Sequence, residues 1–210
     1  MTTNRWLLRA GGTVLAVAVL AAVAAPAEAG TASPPTRGGT ARVSVGLDGA
    51  QPDGDSTALG LSANGRYALF SSRAANLVPG DTDNASDVFL RDLREGTVTK
   101  VSTPLPGTTT RGSSQEPAIS ADDRYVVFSS DADNLVPGLT ANPGSVLRRD
   151  LRTGRTEVVS TAGDGSVSQG GSSYGPFVDA EGGKVLFSAF DGTLVPDDTD
   201  NSSEVFLRRI

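Results

Sequence analysis

Ser62-Ala-Asn-Gly-Arg-Tyr-Ala-Leu-Phe-Ser-Ser72 recurs 58 residues later as Ser120-Ala-Asp-Asp-Arg-Tyr-Val-Val-Phe-Ser-Ser130. After a further 59 residues it returns as Asp179-Ala-Glu-Gly-Gly-Lys-Val-Leu-Phe-Ser-Ala189. Two more landmarks keep the same phase. Asn76-Leu-Val-Pro-Gly80 reappears as Asn134-Leu-Val-Pro-Gly138 and as Leu194-Val-Pro196. Val88-Phe-Leu-Arg-Asp-Leu93 reappears as Val146-Leu-Arg-Arg-Asp-Leu151 and Val205-Phe-Leu-Arg-Arg-Ile210. Three landmarks in one register mark an internal repeat, and the repeat decides the fold before any local reading.

Each unit reads as four short strands. Strand A ends at Ser62, Ser120 or Asp179, and a tight turn follows at 63–65, 121–123 or 180–182, of the kind that closes hairpins. Strand B carries Tyr67 and Leu69, Tyr125 and Val127, or Val185 and Phe187 among β-branched and aromatic neighbours. Strand C is the Val-Phe-Leu segment. Gly-bearing turns at 94–96 and 152–154 lead into strand D, 97–102 or 156–160. No stretch of the mature chain has helical periodicity over three turns. One four-stranded sheet cannot hide both of its faces, so such units must stack on one another. Radial stacking of four-stranded sheets is a β-propeller. The fold expected is therefore all-β, with blades at about 56–103, 114–161 and 173–210 and an extra strand at 41–46.

The Ser-Ala-Asn/Asp-Gly-Arg-Tyr…Phe-Ser-Ser motif, with Asn-Leu-Val-Pro-Gly-Asp…Asp-Val-Phe, resembles the TolB-type, WD40-like propeller repeat of exported bacterial proteins. The resemblance covers about residues 41–210. It implies the propeller fold and, loosely, a role in the cell envelope.

The phase of the repeat predicts how the arc is finished. Arg42-Val-Ser-Val45 aligns with Lys100-Val-Ser-Thr103 and reads as a stray strand D, whereas the third unit has only A, B and C. Residues 41–46 are thus expected to complete the third blade, which removes an exposed edge. Three blades fall short of the typical range of about four to eight. The chain then forms an open arc, or half of a six-bladed ring made by a homodimer, or the remnant of a truncated propeller.

The N-terminus reads as a secretion signal, with Arg5 and Arg9, an apolar run from Val14 to Ala25, and cleavage after Ala29. The run is shorter than the roughly 20 apolar residues of a membrane span. A soluble product, extracellular or periplasmic, is expected. Residues 30–40 form a Gly/Pro/Ser/Thr linker. Without Arg5, Arg9 and Glu28, 16 basic and 23 acidic residues remain, a net charge of −7. That balance argues against nucleic acid and anionic lipid as partners. The chain has no Cys and no His, which removes a Ser–His–Asp triad, a thiolate nucleophile and ordinary zinc, haem or iron–sulfur sites.

In an A-B-C-D meander the B–C loops and D–A crossovers share one face. Here those segments are the long ones, 73–86, 131–144, 104–113 and 162–172. Long loops on a rigid scaffold are where function concentrates. Two B–C loops are acidic: Asp81, Asp83, Asn84 and Asp87, then Asp198, Asp200, Asn201 and Glu204. Oxygen ligands at positions 1, 3 and 7 of a turn suit Ca²⁺. The competing reading is that these side chains cap their own loop backbone as Asx-turns do. The middle repeat has Leu139, Ala141 and Ser145 and should bind nothing.

Arg66 and Arg124 beside Tyr67 and Tyr125 read as inter-blade surface. Phe70, Phe128 and Phe187 read as core. Glu116 is the main acid that breaks the repeat. Two functions compete: a non-enzymatic module binding an envelope protein or glycan on the long-loop face, and a carboxylate-dependent glycosidase or lyase, which needs two carboxyls about 5 to 9.5 Å apart. The sequence favours binding.

Overall fold

A computed structural model describes residues 37–139, 144–167, 171–198, 200 and 202–210; the expected signal at 1–29 and the linker up to residue 36 lie outside them. The hairpins form where the motif places its polar groups. In the first unit Ser62 Oγ accepts the Tyr67 N–H at 2.9 Å and Asn64 Oδ1 accepts the Arg66 N–H at 2.9 Å. Ser120 and Asp122 repeat this at 2.9 and 3.1 Å, and in the third unit Asp179 Oδ1 takes the Lys184 N–H at 3.0 Å. The turn needs a left-handed residue, supplied by Gly65 (φ 71), Asp123 (φ 59) and Gly182 (φ 75).

The first blade is β1 (Ser56–Leu61), β2 (Tyr67–Ser72), β3 (Asp87–Asp92) and β4 (Val98–Lys100), paired antiparallel in that order. The second is β5 (Ser114–Ile119), β6 (Tyr125–Ser130), β7 (Ser145–Asp150) and β8 (Thr156–Val158). The third has three strands, β9 (Ser173–Val178), β10 (Lys184–Ala189) and β11 (Glu204–Arg209). No described residue is helical. Each strand A carries an irregularity in its pairing at the same repeat position, between Ala58 and Gly60, between Gln115 and Ala118, and at Gly175 and Pro176 of β9.

Side chains alternate across each sheet, so every blade offers one face backward and one forward. Leu69, Val88, Leu90 and Val101 of the first blade meet Val126, Phe128 and Leu147 of the second in one buried cluster. Val127, Val146 and Val159 on the other face of the second blade meet Val185, Phe187 and Ala189 of the third. The stacking inferred from the repeat is what the structure shows: three propeller-type blades in an open arc.

The expected completion of the third blade by residues 41–46 is not made. No strand forms there. Val43 packs on the first blade, against Phe70, Ala74, Leu77, Phe89 and Val98, and Val45 is 5% exposed. Leu47 N–H donates to Asn76 O at 2.8 Å. The reason is geometric: among the described residues no sheet pairing joins the first and third blades, and the segment stays beside the blade it precedes in sequence.

Candidate functional site

Antiparallel pairing places the described parts of the 73–86, 131–144 and 190–203 loops on one face with those of the crossovers after β4 and β8. Much of the repeated sequence there is hardware. Asn76 Nδ2 donates to Gln51 O at 2.8 Å and Asn134 Nδ2 to Thr109 O at 2.5 Å, which pins each incoming crossover. Leu77, Leu135 and Leu194 of the same motif are buried. Ala74 N–H and Ala132 N–H bond Ser72 Oγ and Ser130 Oγ, closing the start of each loop.

The polar group outside this hardware lies in the first blade. Asp81, Asp83 and Asp87 bring carboxylate oxygens within 4.8 Å of one another, the one such group among the described residues. A cation could be held there, and one already is. Lys100, the last residue of β4, places Nζ 3.2 Å from Asp81 Oδ1 and 2.7 Å from Asp87 Oδ2, with all three side chains at most 12% exposed. Ser102 Oγ donates to Asp87 Oδ1 at 2.7 Å. Asp83 Oδ1 accepts Ala85 N–H at 2.9 Å, an Asx-turn. Burial pushes the Asp87 carboxyl up to about 6, against the opposing pull of Lys100 and Ser102. Asp81 is raised for the same reason. Asn84 is exposed at the loop tip.

In the second blade the positions of Asp81, Asp87 and Lys100 hold Leu139, Ser145 and Val158, so the acids and the lysine disappear together. Lys100 escaped the reading of the loops because it lies on a strand. The coincidence of its repeat position with the acid pattern was the available signal.

The third blade arranges its acids differently. Asp198 Oδ1 accepts Asp200 N–H at 3.2 Å and Asp200 Oδ1 accepts Ser202 N–H at 2.7 Å, both Asx-type bonds. The charge of Asp198 raises the Glu204 carboxyl. Among the described residues no Lys or Arg forms an ion pair with any of the three. Asn201 lies outside the described residues.

The opposite, tight-turn face is closed by ion pairs. Arg66 bonds Asp92 (Nε to Oδ2 2.9 Å) and Arg124 bonds Asp150 (Nη2 to Oδ2 2.8 Å), each tying the A–B turn to the end of strand C. Burial raises Asp92, but Arg66 and the Glu95 and Arg94 N–H groups outweigh it, and Asp150 is held low by Arg124 first of all. The Tyr125 ring lies between the Arg124 and Arg148 guanidiniums, 4.7 and 4.5 Å from its centroid. It presses on Gly182 of the third blade, where an added Cβ would overlap it. Arg148 bonds Gly182 O in the same contact. Tyr125 thus lies between blades, as the sequence reading has it, whereas Arg66 and Arg124 pair within their own blades.

Glu116 lies in the irregularity of β5 at φ 55, a costly conformation for a residue with a Cβ. Its Oε2 accepts Ser129 Oγ–H at 2.9 Å and Gly175 N–H of the third blade at 2.8 Å. The carboxylate is a strut between neighbouring blades. Glu116→Ala should destabilise the protein by about 2–3 kcal/mol, since a hydrogen bond to a charged group is worth about 1.5–3 kcal/mol. Glu116→Gly should recover about 1 kcal/mol of that by relieving the backbone. Urea unfolding of the two variants measures both terms.

Fold and site together define a protein built of stacked propeller-type blades. No protein family matches the sequence, and no curated protein matches it. Among solved structures it is similar to a protein described as TolB from Agrobacterium tumefaciens, at 18% identity and a TM-score of 0.48, over 74% of this chain and 46% of that one. It is similar to the tricorn protease at 14% identity and TM-score 0.46, over 73% and 12%, and to an oligogalacturonate lyase in complex with manganese at 13% and 0.43, over 80% and 43%. The chain spans less than half the length of each of these proteins.

Proposed function

We propose that this protein is an exported, non-enzymatic binding module that holds a protein or glycan of the cell envelope on its long-loop face. Export is supported by the basic, apolar and small-x-small pattern that ends at Ala29. Binding is supported by long loops carried on a stacked, well-buried scaffold. The observation that carries the choice over catalysis is Glu116. The acid that breaks the repeat is committed to Ser129 and to a backbone N–H of the next blade, so it is a structural link. Retention of one envelope protein or one glycan class, lost when loop 73–86 is exchanged for 131–144, is the expected result of pull-down and glycan-array experiments. Cleavage of an envelope polysaccharide by the wild-type protein, abolished by Glu116→Gln with the fold intact, would overturn this reading.

Ca²⁺ enters this function as a competitor. The carboxylates of Asp81, Asp83 and Asp87 have the spacing and oxygen chemistry for it, and binding there requires Lys100 to withdraw.

A further inference from the structure

Residues 41–47 hold, on the first blade, the place that strand D of a preceding blade holds on the second and third. Val43, Val101 and Val159 are 58 residues apart. Val101 packs with Val126 and Phe128 of the second blade, Val159 with Val185 and Phe187 of the third, and Val43 with Phe70 and Phe89 of the first. The backbone repeats too. Val45 N–H bonds Val43 O at 3.0 Å, as Thr103 bonds Val101 and Thr161 bonds Val159, both at 2.8 Å. Leu47 N–H bonds Asn76 O at 2.8 Å, as Leu105 bonds Asn134 at 2.9 Å. The segment is seated as a strand D, but among the described residues no strand C lies beside it.

At the other end of the arc, β11 is a strand C that, among the described residues, pairs with β10 alone. Its blade exposes Leu186 (41%), Val205 (67%) and Leu207 (57%), whose counterparts Leu69, Val88 and Leu90 in the first blade are at most 7% exposed under the second. Phe177 adds a further exposed ring at 67%. The backward face of the first blade, where Val43 packs on Phe70 and Phe89, still leaves Leu61 64% exposed beside an apolar groove of about 720 Å³. An apolar surface of this kind next to an open sheet edge marks an interface.

Charge points the same way. Arg42 is the repeat counterpart of Lys100, and Ser44 that of Ser102. Arg42 is exposed and forms no ion pair among the described residues. Asp198 and Glu204, the counterparts of Asp81 and Asp87, form no ion pair with a Lys or Arg among the described residues. Asp198 Oδ2 is buried without a hydrogen bond.

We propose that two copies of this chain join head to tail into a six-bladed ring. Residues 41–45 of each copy add as the fourth strand beside β11 of the other, and Arg42 serves Glu204 and Asp198 as Lys100 serves Asp87 and Asp81. The contact repeats an interface the chain already makes twice, so it needs no new chemistry. A heterologous contact of this kind closes into a ring once the rotation is complete, and about four to eight blades is the usual range.

Sedimentation velocity on the purified protein at tens of micromolar should show one species of twice the chain mass. Arg42→Glu should weaken the dimer on the order of tenfold or more. Adding Glu204→Arg to the same chain should restore it, because the charge pair is then reversed. Both side chains are exposed, so neither change threatens the fold, and an unchanged far-ultraviolet circular dichroism spectrum checks this. A monomer at that concentration, a ladder of ever larger species, or an Arg42→Glu chain that dimerises as the wild type does would overturn the proposal.

Discussion

Phe128→Ala should remove about 3–5 kcal/mol, the usual cost of truncating a fully buried Phe, from a total stability of about 5–15 kcal/mol. Phe128 is 0% exposed and belongs to the cluster that joins the first blade to the second. Its effect should therefore be directional. In a stacked array each unit contacts only its neighbours, and stability is nearly a sum of units and interfaces. Weakening one interface should free the first blade to unfold while the second and third remain joined through Val127, Val146 and Phe187. Denaturant unfolding should show a smaller slope or a second transition, because the slope follows the surface exposed in one cooperative step. Phe187→Ala, at the other interface, should instead free the third blade. Loss of equal stability with one unsplit transition in both variants would show that the blades act as a single cooperative body.

The strands, their order and the faces that meet were legible because the repeat states them three times. A residue that recurs at an offset of 58 or 59 must do a job every blade needs, and Ser62, Ser120 and Asp179 do one such job by closing the A–B turn. The destination of residues 41–46 was less legible. Their sequence identifies a strand D but says nothing of whose sheet it joins, since that depends on how far three blades turn about the axis. The acidic loops were half legible. Spacing could bring Asp81, Asp83 and Asp87 together, but only the register of β3 against β4 puts Lys100 opposite them. The near-identical loop of the third blade has no strand D beside it among the described residues, and Asp198 and Asp200 are left with backbone partners. Glu116 shows the converse: an irregular residue can read as a reactive one, while its hydrogen bonds make it a strut.

Lys100→Met should destabilise the protein by about 3–5 kcal/mol at neutral pH, the typical result of removing one member of a buried ion pair. The penalty comes from what remains: Asp87, 1% exposed, and Asp81 would face each other without a counter-charge. Its pH dependence separates charge from lost packing. Burial already lifts Asp87 to about 6 in the folded protein from an ordinary value of 3.8. Between those two values the folded state holds a proton that the unfolded state has released, so stability falls as pH rises through that window. Without Lys100 the folded value climbs further and the window extends upward. The loss in Lys100→Met should accordingly be largest near neutrality and shrink toward pH 4, where both acids can be protonated. Ca²⁺ then becomes the discriminating ligand. It should leave the wild-type melting temperature unchanged, because Nζ fills the site, and should raise that of the variant. At about 100 times its dissociation constant it would return about 2.7 kcal/mol. The second blade supplies the control. Asp81→Leu, Asp87→Ser and Lys100→Val together write that blade's neutral solution into the first, and replacing a buried ion pair by well-packed neutral groups is often about neutral in stability. A triple variant as unstable as Lys100→Met alone would mean that Lys100 supports the loop through its methylenes, with its charge incidental.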